Sequence, residues 1–398
     1  MDAWYFTEMP YPHLPPPESY PSDRVSLSNA VFDPEIGADL YNRYLDEYVI
    51  ADDLGLNLML NEHHQTPTCL DPAVPLTAAI LARETAKGRI LVLGNPVANR
   101  ADPVRIAEEM AMVDCISRGR LDAGFVRGVP YELFASNTNP TQTMERLWDG
   151  LELILKAWTT RDGPFNYEGP HWHKRSVNIW PTPYQQPHPP VWTTGSTDGP
   201  NIDRVAKRGF HFASFLQPHE RVRVLFDRYR AAALDGPELA TRRLGFMPLV
   251  AVGETDAEAR ERAEKLRWFI RSKVAPQFRN PPGYVSLDLN IRALKGQFQG
   301  RTAAIRQEST DVLIDKGVIM AGTPDQVVAQ VERFFERTGG FGHLLMMLQA
   351  GFMDHEETVR NITLFAKEVY PRIRYLAGNL AGGKGDRGAT QTARAGQG

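Results

Sequence analysis

Short apolar runs of strand length alternate with longer stretches of helical period along most of the chain. Eight runs, at 3–7, 57–62, 89–97, 121–126, 191–194, 211–215, 244–252 and 342–348, read as strands. The 244–252 run is nearly continuous in apolar residues, as a parallel strand covered on both faces should be. Between the runs, Leu147, Leu151, Ile154, Leu155 and Trp158 mark one helical face, and Val327, Val331, Phe334 and Phe335 repeat that spacing. Asp102-Pro103 and Thr323-Pro324 each set an N-cap residue before a proline at the first helical position. Eight strands separated by helices are what a closed parallel barrel requires. The pattern therefore predicts an α/β fold, a (β/α)8 TIM barrel over residues 1–375 with long loop insertions at its C-terminal face.

Three stretches interrupt the repeat. Residues 13–31 are rich in Pro and Ser and follow the first strand. Residues 161–190 are aromatic and Pro-rich and join a helix to the fifth strand. Residues 271–319 have broken periodicity with several Gly, Pro and Gln, and read as a lid. Long irregular connections of this kind are usually functional. Residues 376–398 are small, polar and Gly-rich, and are expected to be a disordered tail.

Composition narrows the function. Apolar residues make up 42% and charged residues 23% of the 398, which is ordinary globular usage. Lys and Arg total 45 against 48 Asp and Glu, a net charge of −3, so no basic excess exists to neutralise a nucleic-acid backbone. No 18-residue apolar run suggests a membrane span, and the first residues lack the basic and apolar regions of a secretory leader. Cys69 and Cys115 stand 46 positions apart, which excludes a disulfide scaffold and fits a reducing cytoplasm.

Candidate chemistry lies just past the expected strand ends, where a barrel builds its sites. The second strand ends Asn61-Glu62-His63-His64-Gln65. Two imidazoles beside a carboxylate suit acid–base work, or equally a capped strand end with hydrogen-bonded histidines. Adjacent residues face opposite sides of a strand, so one imidazole at most could join Glu62 at a metal, and His171 and His173 form a further His-x-His pair. Gly94 and Asn95 interrupt the third apolar run, which marks either a bulge or a close backbone approach to a ligand. Arg127, between the fourth strand and Gly128, suits a phosphate or carboxylate, or else a surface ion pair. Gly195-Ser196-Thr197-Asp198-Gly199 leads into a helix and offers backbone N–H groups and hydroxyls to an anion, although every helix needs such a cap. Arg127 and Ser196/Thr197 come from neighbouring expected strands, so one phosphate could be gripped from both sides. Trp4, Phe6, Tyr11, Phe125 and Tyr131 lie at or near strand ends, as pocket lining or as core.

The run Asn61–His64, the segment from Leu93-Gly-Asn-Pro to Arg105, and Ser117-Arg-Gly-Arg-Leu-Asp-Ala-Gly-Phe-Val-Arg-Gly128 resemble the bacterial luciferase-like flavin-dependent monooxygenases. The likeness continues through 183–192 and 342–349. The resemblance implies a TIM barrel holding reduced FMN (FMNH2) at its C-terminal face. It implies O2 chemistry through a C4a-peroxyflavin on a small hydrophobic or heteroaromatic substrate. It also implies a separate NAD(P)H:flavin reductase as partner, and a dimer. By position, His63 matches the family's catalytic histidine, Arg127 its phosphate-binding arginine, and the Ser196–Thr197 turn a second phosphate contact. Gly94 and Asn95 fall where the family has a non-proline cis peptide under the flavin, and His64 is a further expected cofactor contact. Val126 stands where the luciferase α subunit has a reactive cysteine, which argues against light emission. An F420-dependent oxidoreductase of the same fold and a non-catalytic flavin-binding protein are the alternatives within the family. Outside it stands a metal-dependent barrel hydrolase using His63, His171 or His173.

Overall fold

A computed structural model describes residues 1–279, 281–295 and 305–378. Its strands are β1 (Asp2–Thr7), β2 (Asn57–Leu60), β3 (Ile90–Pro96), β4 (Leu121–Val126), β5 (Phe165–Glu168), β6 (His173–Val177), β7 (Val191–Thr194), β8 (His211–Phe215), β9 (Leu244–Met247), β10 (Leu249–Val252), β11 (Ile319–Gly322) and β12 (His343–Gln349). Parallel pairing runs β1-β2-β3-β4-β7-β8-β9-β12, and β12 returns to β1, with Trp4 opposite both Asn57 and Leu345. The ring is the expected closed (β/α)8 barrel.

Strand periodicity sorts the apolar residues into two layers. Trp4, Phe6, Met59, Leu91, Leu93, Trp192, Leu345 and Met347 fill the interior. Their neighbours Tyr5, Leu58, Leu60, Ile90, Val92, Phe125 and Leu344 face outward onto the helices. The helices begin where the sequence placed caps. Asp102 accepts from the Val104 N–H ahead of the helix Pro103–Ser117, and Thr323 and Gln326 form a capping box on Pro324–Thr338.

Three elements go beyond the sequence reading. The 244–252 run is two strands, because Pro248 has no N–H to give the ladder. Its carbonyl still accepts from the Met347 N–H at 3.1 Å. Past that break, β10 recruits β11, with Leu249 opposite Ile319. The 161–190 excursion contains the antiparallel hairpin β5–β6 and then passes beneath the barrel, where the Gln185 side chain donates to Asp114 and to the Leu121 carbonyl at the start of β4. It therefore reaches the N-terminal end, and not only the C-terminal face expected of the insertions. Within the 271–319 excursion, residues 280 and 296–304 lie outside the described residues, as do residues 379–398 of the expected tail.

The N-terminal floor of the barrel is sealed. The Trp192 ring stacks on His211 at 4.5 Å and meets His343 edge-on at 4.7 Å. Trp192 donates through Nε1 to Asp122 (2.8 Å), Trp4 through Nε1 to His343 Nδ1 (3.3 Å), and Arg89 through Nε to Asp122 (2.7 Å). No helix among the described residues is long and apolar enough to cross a membrane.

Candidate active site

The alternation that builds the barrel also divides the residues after β2. Met59 points inward, and Asn61 and His63 share its parity. Asn61 Nδ2 donates to Glu8 Oε2 at 3.0 Å, and His63 Nε2 lies 4.0 Å from the same carboxylate oxygen. Glu62 and His64 have the opposite parity and meet each other, with His64 Nε2 3.0 Å from Glu62 Oε1. Glu62 also accepts from Arg100 at 2.6 Å and from the Val74 N–H at 3.3 Å, the first turn of the helix Val74–Glu84. The quartet is thus two pairs. One faces the barrel mouth, and the other ties the strand end to its helix.

His63 is completed by the turn after β4. Pro130 starts a short 3-10 turn, Pro130–Leu133, which presents Tyr131 and Glu132. Glu132 Oε1 lies 2.9 Å from His63 Nδ1 and accepts the His64 backbone N–H at 3.0 Å. Its other oxygen, Oε2, is buried with no partner among the described residues. Burial alone pulls the His63 pKa down, but the hydrogen bond and charge of Glu132 and the charge of Glu8 outweigh it and hold it above its ordinary value. Burial raises the Glu8 carboxyl, against the opposing charges of His63 and Arg24 and the Asn61 hydrogen bond. The Arg24 guanidinium lies 4.8 Å over the Tyr131 ring and donates to its hydroxyl.

Arg127, one strand end away, is part-buried. Its Nε donates to Thr143 Oγ1 (2.7 Å), its NH2 donates to the Tyr284 carbonyl, and its guanidinium stacks on the Tyr284 ring at 3.6 Å. Burial lowers its pKa, and no carboxylate faces it among the described residues. A cation in such a place is chemically suited to an anion. The 195–199 turn follows β7, which pairs with β4, so the two candidate phosphate contacts do follow adjacent strands. Ser196 and Thr197 are exposed, and neither caps the helix Pro200–Lys207, whose N-cap is Gly199.

Other expected contacts fall elsewhere. A cis peptide bond lies between Leu93 and Gly94, one bond before the place the resemblance indicated. The β3–β4 register shifts between Val92 and Asn95, and the Asn95 side chain turns outward, 3.5 Å from Met110 Sδ and donating to the Gly124 carbonyl at 3.1 Å. A Cβ on Gly94 would stand 2.7 Å from that carbonyl, so close packing of β3 on β4 accounts for the glycine. Trp4 and Phe6 do face the interior, whereas Phe125 packs on Trp158 and Tyr11 on Phe32. His173 pairs with an exposed Glu168 at 2.9 Å and His171 with Glu145 at 3.4 Å. Among the described residues no three His, Cys, Asp or Glu side chains converge as a metal would need. Sequence reasoning did not single out Glu8, Arg24 or Glu132. Each lies in a connection without periodicity, and only the barrel's closure brings them to His63.

The chain matches the model of the family described as luciferase-like monooxygenase over residues 26–340. It is 29% identical over 240 residues to the oxygenase component of a flavin-dependent trigonelline monooxygenase from Acinetobacter baylyi, covering 57% of this chain and 64% of that one. Two solved structures share the fold. One is the monooxygenase RslO1 of Streptomyces bottropensis, with a TM-score of 0.70, 22% identity, and coverage of 93% of this chain and 99% of that one. The other is the oxygenating constituent of 3,6-diketocamphane monooxygenase from Pseudomonas putida, a type II Baeyer–Villiger monooxygenase in complex with FMN, with a TM-score of 0.68, 20% identity, and coverage of 93% and 98%. From the barrel, the strand-end residues and these matches together, the chain belongs to the luciferase-like monooxygenase family.

Proposed function

We propose that this chain is the oxygenase component of a two-component FMNH2-dependent monooxygenase. It acts with O2 on a small hydrophobic or heteroaromatic substrate and takes its reduced flavin from an NAD(P)H:flavin reductase in the cytoplasm. The observation that carries this reading is the pairing, at one barrel mouth, of a histidine between two buried carboxylates with an arginine that has no acidic partner among the described residues.

The donor set fits FMN. Arg127 would hold its phosphate, with the backbone N–H groups and hydroxyls of Ser196 and Thr197 opposite. The backbone at Gly94 and Asn95 borders the ring site, while the Asn95 side chain and the His64 ring are engaged elsewhere. When bound, the reduced flavin supplies the electrons that activate O2. Glu132 accepts the Nδ1 proton of His63, which fixes the ring and leaves Nε2 to hold or move a proton at the mouth. His64 supports this through its backbone N–H to Glu132. Trp4, Phe6, Leu93 and Met347 fill the barrel below with apolar packing that keeps water from this side of the site.

Binding tests this reading directly. FMN reduced under anaerobic conditions should bind the purified chain, and Arg127→Ala should weaken that binding by about tenfold or more. Preference for F420 over FMN would replace the reading with the F420-dependent alternative. Oxygenation in the presence of NADH, FMN and a reductase should fall sharply in His63→Ala, and unchanged turnover there would remove the role given to His63.

A further inference from the structure

The first excursion and the start of the 271–319 excursion are stitched together beside the site. Ser22 Oγ donates to the Lys273 carbonyl (3.2 Å), and Asp23 Oδ2 accepts the Lys273 N–H (2.9 Å). Arg306 holds the Ser272 carbonyl at 2.6 Å. Arg24 spans the seam. One arm of its guanidinium donates to Ser272 Oγ at 3.2 Å, and the other to the Tyr131 hydroxyl, next to Glu132 and His63. Arg24 is 7% exposed.

The charges around His63 explain why a cation belongs there. Glu8 approaches from the end of β1 and Glu132 from the turn after β4. Tyr131 flanks the ring at 6.4 Å between centroids, His64 follows it in sequence, and Cys69 lies behind Asn61 at 3.8 Å. Two carboxylates around one imidazole hold its proton tightly, and an imidazolium that cannot release its proton is a poor shuttle. The Arg24 charge disfavours a proton on His63, opposite to the two carboxylates, and also disfavours one on Glu8.

We propose that Arg24 is a positioning residue for His63: clamped between Ser272 and Tyr131, it offsets the Glu8 and Glu132 carboxylates so that the imidazole can release its proton, and it makes that balance depend on how residues 272–275 are seated. This deepens the reading of His63 as the proton-handling group of the monooxygenase site and rests on it.

The test is the titration of His63 followed by NMR in histidine-labelled, cofactor-free full-length protein, assigned with His63→Ala. Arg24→Gln should move the His63 midpoint upward by roughly half a pH unit or more. The high-pH limit of kcat should move with it in the FMN- and reductase-supplied enzyme. Ser272→Ala, which frees one arm of Arg24, should shift the midpoint in the same direction by less. A folded Arg24→Gln variant with an unchanged midpoint overturns the proposal. Should that variant fail to fold, an unchanged midpoint in Ser272→Ala overturns it instead. Because the titration needs no flavin, absence of FMN binding would defeat the functional reading without altering this outcome.

Discussion

His211 and His343 lie in the barrel floor against Trp192, while His63 stands at the mouth against Glu132, and the two settings drive the same side chain in opposite directions. Burial, with no carboxylate strong enough to offset it, pushes His211 well below its ordinary range and His343 down to about 3. Both are neutral in the fold, whereas the unfolded chain takes up their protons below about pH 6.5. The floor therefore loses stability as pH falls from about 6.5 toward 3, by up to about 1.4 kcal/mol per pH unit for each histidine. His63 has the reverse sign. Its raised pKa contributes stability below about pH 6.5 that is lost as pH rises through its folded value. Urea midpoints measured at pH 7, 6 and 5 should decline. His343→Asn, which keeps an acceptor for the Trp4 N–H, should remove about half of that slope. These opposite fates were not legible in the sequence. His211 and His343 open strands as ordinary polar residues, and only closure of the ring places them beside each other. For His63, position past a strand end marked a pair of imidazoles, and the resemblance chose between them.

At the scale of elements, the first half of the run Ser117–Gly128 that carries the resemblance, Ser117-Arg-Gly-Arg-Leu-Asp, is scaffolding at the N-terminal end of the barrel, while its last residues, Arg127 and Gly128, lie at the mouth. Arg118 and Gly119 take left-handed conformations that end the helix Pro103–Ser117. Arg120 then reaches across to the end of the helix Val74–Glu84. It donates to the carbonyls of Ala82 and Thr85 at 2.9 Å each, to Gly88 at 2.8 Å, and to Thr85 Oγ1 at 2.9 Å. Arg120→Met should leave those carbonyls without donors and lower stability by about 2–3 kcal/mol, read by denaturant unfolding, with FMN affinity unchanged. One motif thus joins a structural half to a half that the proposed chemistry uses. The strand interrupted at Pro248 is a second case of local chemistry overriding pattern. Asn361 mends the seam, donating to the Val250 and Leu348 carbonyls and accepting the Val252 N–H at 2.7 Å. Hydrophobic periodicity carries no trace of such a staple, because it records which face is buried and not which backbone group lacks a partner.

For the whole molecule, the helix layer is not uniformly polar outside. The neighbouring helices Val74–Glu84 and Pro103–Ser117 each expose an apolar pair four residues apart, Leu76 and Ile80 on one, Met112 and Ile116 on the other. Exposed apolar pairs of this kind are candidate contacts for a second copy of the chain, the dimer that the resemblance implies. Leu76→Asp with Met112→Asp should yield a monomer in sedimentation equilibrium, with His63 and its carboxylates undisturbed. The barrel itself was legible from the eight apolar runs. The arrangement of its loops was not, because contacts such as those of Tyr284 with Arg127 depend on the closed ring. That ring has one further consequence. With Trp4, Trp192, His211 and His343 stoppering its floor and Phe6, Leu93 and Met347 packed above them, the ring is filled from below. A ligand that meets His63 would therefore enter and leave on the side of the strand C-terminal ends.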